Sequence, residues 1–227
     1  MSIEERGALL SANLKELGQR EGLDRVHLMT HSFAGVDARA ALSLFGLDCV
    51  RSLTTLCSPH RGARLVDNCQ QYPNRFSLEE AEQALEAVGI SQASAQEFTL
   101  ANMADFNMIA ADAKSVEYFS AGAHKPRLQS SDLLRASHNA VIGTLTEGLG
   151  GVQSDGIVRP EESQWGRYLL TFPEHDHLEI VGFNAAQYAP QTVFTALVDN
   201  LRLTEIKEDP REAREYGVDH LFRSARQ

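Results

Sequence analysis

Apolar residues recur at Ile3, Leu10, Leu14 and Leu17, on one helical face, and Ser2 with Glu5 makes a capping box ahead of them. The pattern predicts an opening helix that Gly18 can end. Short apolar runs then alternate with longer helical stretches. Arg25 to Met29, Val50 to Leu56, Ser115 to Ala121 and Tyr168 to Phe172 read as strands, and the alanine-rich Val36 to Phe45 reads as a helix. Strands alternating with helices imply the α/β class, a mostly parallel sheet with helices on both faces. Four strands make a thin sheet. An exposed edge and apolar helix faces are therefore expected, to be covered by a partner or by a segment ahead of Ser2.

The stretch from Gln70 to Asn107 interrupts this alternation. Ser77 and Glu80 form a second capping box, Leu78, Ala81, Leu85 and Val88 share a face, and Gly89 breaks it. Phe98, Met103, Phe106 and Met108 follow in another helical stretch. Gln191 to Leu203 is amphipathic through Val193, Leu197, Val198 and Leu201, and reads as the last helix of one domain spanning residues 1–206. The remainder, 207–227, is a charged tail containing Pro210.

The 227 residues suit one globular domain with a sizeable core. A net charge of −10 argues against nucleic acid and against electrostatic docking on anionic membranes. No apolar run is long enough to span a bilayer. Cys49, Cys57 and Cys69 form neither a disulfide framework nor a zinc spacing, and are expected as reduced thiols of an intracellular protein. Met1-Ser2-Ile3-Glu4-Glu5 is neither a secretory signal nor an Arg-rich transit peptide.

Candidate chemistry starts at Thr30-His31-Ser32-Phe33-Ala34-Gly35, between a predicted strand and a predicted helix. A serine on such a turn is a nucleophile elbow, with its hydroxyl at the sheet's end and helix N–H groups facing any oxyanion formed there. The two glycine positions of G-x-S-x-G hold Thr30 and Ala34. A downstream acid is available in Ser154-Asp155-Gly156, and a histidine in Glu174-His175-Asp176-His177-Leu178-Glu179. The order Ser32, Asp155, His177 fits a serine hydrolase: Ser32 as nucleophile, His177 as base and then acid, Asp155 fixing the imidazole tautomer. His175 and His60 compete with His177 on position alone, and His31 reads as a packing residue.

Four segments together resemble the α/β-hydrolase lipases, namely bacterial true lipases and the mitochondrial triacylglycerol lipases of fungi. They are Val26 to Arg39, Val50 to Gly62 with its Ser58-Pro59-His60-Arg61-Gly62 ending, Ser154 to Val158, and Asp176 to Glu179. The last match favours His177 over His175. The resemblance implies a carboxylic ester hydrolase acting on acylglycerols through an acyl-enzyme, and a mitochondrial location. It also implies a cap or lid at about 70–107, and an oxyanion donor in the Phe33 N–H. The family's front strands and its second oxyanion loop have no counterpart ahead of Ser2, so an N-terminally truncated domain is expected. No cofactor is expected, and no metal: Glu179 falls at a calcium position of some bacterial relatives, but without a second carboxylate it reads as a surface residue. Two alternatives stand beside the lipase reading. One is a weak or inactive remnant that binds lipid or a partner; the other is a phospholipase or thioesterase of the same fold.

Overall fold

The computed structural model describes residues 1–72, 91–142, 152–183 and 190–208, together with Glu86. The expected helix around Ser77 to Gly89 and the tail beyond 208 lie outside the described residues. The chain divides into two compact units, Met1–Ala186 and Gln187–Gln227.

In the first unit the order is α1 (Ile3–Glu21), β1 (Val26–His31), α2 (Ala34–Phe45), β2 (Val50–Leu56) and α3 (Arg64–Gln71). Two short turns, Gln92–Ala95 and Gln96–Phe98, lead into α4 (Leu100–Ile109), β3 (Glu117–His124), α5 (Asp132–Ile142) and β4 (Arg167–Pro173). The strands form one sheet in the order β1-β2-β3-β4, every pair parallel. Parallel neighbours need crossovers, and the intervening helices supply them. All four strands therefore end on the same side, where ligands bind in open α/β sheets.

The elements depart from the sequence reading in small ways with identifiable causes. The opening helix has the expected capping box, but it runs through Gly18 to a left-handed cap at Gly22, whose N–H donates to the Gly18 carbonyl. Its buried stripe is Ile3, Gly7 and Ser11, while Leu17 is exposed. At Gly7 the two helices touch: a Cβ there would lie 2.7 Å from that of Ala40 in α2. Arg6, one residue earlier, pairs with Asp37 of α2 and with Glu97. β1 continues past Met29 because Thr30 and His31 pair with Thr55 and Leu56. β3 starts at Glu117 rather than Ser115 and continues to His124, which pairs with Pro173.

β2 is almost wholly buried, whereas every residue of β1, which with β4 forms the two edges of the described sheet, is only partly so. Phe98, Met103 and Phe106 are buried in one cluster with Phe33, Val36, Leu65, Leu134 and Ile157. Met108, in the same helical stretch, is 77% exposed. A second cluster gathers Ala38, Leu42, Val50 and Leu53, with Leu10 and Leu14 of α1 packed against it. Cys49, Cys57 and Cys69 are not joined in disulfides.

The second unit holds α6 (Pro190–Glu208), which runs slightly beyond the expected domain end. Val193, Leu197 and Leu201 are buried at i, i+4 and i+8, while Val198 is turned outward. Among the described residues no helix is long and apolar enough to cross a membrane.

Candidate active site

Ser32 follows the last residue of β1 and takes φ 58°, the left-handed region that a non-glycine residue enters only when the surroundings hold it there. Its own N–H donates to Leu56 O at 2.9 Å, and its carbonyl accepts from Gly35 N–H. The turn is thus fastened to β2 on one side and to α2 on the other. The close approach this elbow needs falls at Gly35. A Cβ built there would lie 2.2 Å from Ser58 Oγ and 2.8 Å from Ser58 Cβ. Ala34 is exposed, so its methyl crowds nothing; Thr30 is partly buried, and its Oγ1 has no hydrogen-bond partner among the described residues.

Two loops meet this serine at the strands' carboxyl end. The loop ahead of β4 carries Asp155, and the loop after β4 carries His177. His177 Nε2 lies 2.9 Å from Ser32 Oγ, and His177 Nδ1 lies 2.7 Å from Asp155 Oδ2. All three side chains are buried. Asp155 Oδ1 accepts from the N–H groups of Ile157 and Val158 at 2.9 and 2.7 Å, and His177 N–H donates to the Asp155 carbonyl at 2.8 Å. Burial alone would push the Asp155 carboxyl up. The charge and hydrogen bond of His177, with the Val158 and Ile157 N–H groups, outweigh it and hold the group below its ordinary range. A carboxylate that stays ionised keeps the Nδ1 proton of His177, leaving Nε2 as the acceptor facing Ser32.

The other histidines fall elsewhere. His31 packs its ring 4.5 Å from that of His177. Its pKa is lowered to about 3, chiefly by burial and then by the charge of His177, so it stays neutral beside the serine. His60 is fully buried, its Nε2 2.8 Å from Thr55 Oγ1 and its carbonyl accepting from Asn107 Nδ2. Burial, with Arg39 and Arg61, holds it well below its ordinary range. The Ser58-Pro59-His60-Arg61-Gly62 motif thus fastens α4 to β2. His175 bonds through Nδ1 to the Pro173 carbonyl at 2.6 Å.

Asp155, His177 and Cys57 offer three possible metal-ligand atoms within 4.8 Å of one another. The carboxylate and imidazole atoms concerned are already committed to each other, to Ser32 and to backbone N–H groups, so the set fits a hydrogen-bond relay better than an ion. Glu179 is not the surface residue expected: its carboxylate is 12% exposed and receives Lys125 Nζ on both oxygens, at 2.7 and 2.6 Å. Other residues around the site carried no local sequence signal. Arg39 of α2 is buried with its guanidinium 3.4 Å from the Trp165 ring centroid, and bonds Asn107 Oδ1 and Ala110 O. Glu162 accepts from Arg159 and Arg64 N–H groups, and burial pushes its carboxyl up to about 8.

A cleft of about 450 Å³ lined by Lys15, Leu23, Phe45 and Cys49 lies at the opposite, N-terminal end of the strands, away from this cluster.

No protein-family model matches the chain. Among curated proteins it is similar to triacylglycerol lipase 2 of Saccharomyces cerevisiae, 29% identical over 192 residues. That match takes in 80% of this chain and 55% of the relative, so the chain spans about half the length of the curated relative it matches. Among solved structures it is similar to a Bacillus licheniformis lipase in its mature form, with a TM-score of 0.66 at 21% identity, over 87% of this chain and 74% of that one. It also superimposes on Staphylococcus hyicus lipase with a TM-score of 0.55 at 17% identity, over 81% of this chain and 71% of that one. These likenesses establish the fold of the chain as that of the α/β-hydrolases.

Proposed function

We propose that this chain, an α/β-hydrolase-fold protein similar to lipases of yeast and bacteria, hydrolyses carboxylic esters of lipids through Ser32. The observation that carries the proposal is the continuous buried relay from Ser32 Oγ through both nitrogens of His177 to Asp155. A serine hydroxyl is a weak nucleophile until a base takes its proton. His177 Nε2 takes that proton as Oγ attacks the ester carbonyl, and Asp155 stabilises the imidazolium that results. The tetrahedral oxyanion receives the Phe33 N–H at the start of α2, where the helix dipole also favours negative charge. Collapse expels the alcohol, which leaves with the proton from His177. Water, deprotonated by the same histidine, then frees the acid from Ser32.

Acylglycerols are the proposed substrate class, because the curated relative is a triacylglycerol lipase. The segment at about 70–107 is proposed as the cap over the site: Phe98 lies against Phe33, ring centroids 4.1 Å apart, and Ser32 is only 4% exposed. A further strand, from a partner or from additional chain, is proposed to cover the free edge of β1 and to bring the second oxyanion donor. A mitochondrial location is proposed from the resemblance, to be checked by fractionation.

A fluorophosphonate serine probe tests the chemistry. The expected result is labelling of the folded chain that disappears in Ser32→Ala and His177→Ala. No labelling of a folded chain would refute the hydrolase reading and favour a lipid- or partner-binding remnant. A panel of acylglycerols, phospholipids and acyl thioesters then separates lipase from phospholipase or thioesterase.

A further inference from the structure

Lys125 occupies the corner where three elements of the site meet. It is the residue after β3, and its backbone N–H donates to the carbonyl of Ser154, immediately before Asp155, at 3.0 Å. Its side chain turns to the other loop: Nζ reaches both carboxylate oxygens of Glu179, two residues after His177. The Lys125 side chain is 6% exposed and that of Glu179 12%, so this is an interior ion pair rather than a surface one. Glu179 passes the constraint on. Its Oε2 accepts the Asp176 N–H at 3.2 Å, and its own N–H donates to Asp176 Oδ1 at 2.9 Å. Asp176 Oδ1 also accepts from Leu178 N–H at 3.0 Å, and Oδ2 from Ser131 N–H at 2.9 Å. His177 sits inside this closed ring of bonds, held by its flanking residues Asp176 and Leu178.

We propose that Lys125 is a positioning residue for the relay, a built-in cation that locks the His177 loop to the Asp155 loop. The Asp155–His177 side-chain bond joins the loops at either end of β4, and the only backbone bond between those two residues is the one from His177 N–H to the Asp155 carbonyl. Lys125 adds a second tie, holding one loop with its backbone and the other with its side chain. A charge-assisted, bidentate contact in a water-poor environment is stiff, and stiffness is what a 2.7 Å relay bond requires. The proposal rests on the hydrolase reading only for its kinetic arm.

The test compares the unchanged chain with Lys125→Met and with the double variant Lys125→Met/Glu179→Gln. The double variant removes both charges but keeps an acceptor for the Asp176 N–H, so it avoids stranding a buried carboxylate. Two readouts are taken on chains shown by thermal melting to be folded. One is the low-field proton resonance of His177 Nδ1–H bound to Asp155; the other is the rate of fluorophosphonate labelling. The expected result is a resonance in the unchanged chain that broadens or is lost in both variants. Labelling in both should slow by roughly 10–100-fold, the scale of a displacement near 1 Å. A double variant that melts like the unchanged chain and keeps its resonance and rate would overturn the proposal, leaving the pair a purely structural one. So would an unaltered resonance in Lys125→Met, or the absence of that resonance from the unchanged chain. A resonance that responds as expected in a chain that is never labelled would uphold the positioning role while refuting the hydrolase reading.

Discussion

Substituting Gly35 by alanine should damage the nucleophile without touching any reacting atom. The new Cβ would stand 2.2 Å from Ser58 Oγ, 2.8 Å from Ser58 Cβ and 3.0 Å from Thr55 Cγ2. The first contact is roughly 1 Å inside ordinary van der Waals range, and the second cannot be relieved by rotating a side chain. Ser58 and Thr55 are buried at the end of β2, so α2 has to move. Overpacking of this kind costs about 1–3 kcal/mol. The gain in helix propensity from glycine to alanine returns about 1 kcal/mol, leaving a net loss of up to about 2 kcal/mol. The kinetic effect should be larger, because Ser32 lies three residues ahead on the same turn and its bond to His177 is 2.9 Å. A shift near 1 Å there lowers reactivity by roughly 10²-fold. Fluorophosphonate labelling rates and urea midpoints measure the two effects. Ser58→Gly removes the two closest atoms, so Gly35→Ala/Ser58→Gly should recover most of both losses. Parental rate and midpoint in Gly35→Ala would refute the reasoning, as would a double variant no better than the single one.

Four further outcomes are expected. Asp155→Asn should leave the fold intact but slow labelling by roughly 10⁴-fold, since an amide no longer selects the imidazole tautomer that accepts the serine proton. Glu162 has a raised pKa in the folded chain, so its contribution to stability is full below about 4.5 and lost as pH rises toward about 8; Glu162→Gln should flatten that decline in urea midpoints. His31 has the opposite sign: its pKa is depressed from 6.5 to about 3, so its contribution is present above 6.5 and lost as pH falls toward 3. His31→Phe, which keeps a ring beside His177, should lessen acid destabilisation across that window. Chelation of divalent ions should leave labelling unchanged, because the buried pocket at Glu179 already holds the Lys125 ammonium; a loss restored by calcium would contradict this.

The element order, the parallel alternation and the elbow hexapeptide were legible in the chain because helix and strand periodicity are local properties. Strand positions came within a few residues, since each run of β-branched and aliphatic residues reports its own burial. The order of serine, acid and histidine was also visible. The choice among His60, His175 and His177 was not visible from spacing, and rested on a resemblance. Ser32 and His177 are separated by 145 residues, and only closure of the sheet puts one opposite the other. Tertiary packing likewise decided that Gly35, and neither Thr30 nor Ala34, is the crowded position of the elbow. It decided that Gly7 is the contact of α1 with α2, and that Glu179 is a buried partner of Lys125. In each case the determining quantity is a distance between segments remote in the chain. A periodic pattern tells which side of an element is buried, but the atoms it meets there belong to other elements, and only the folded arrangement supplies them.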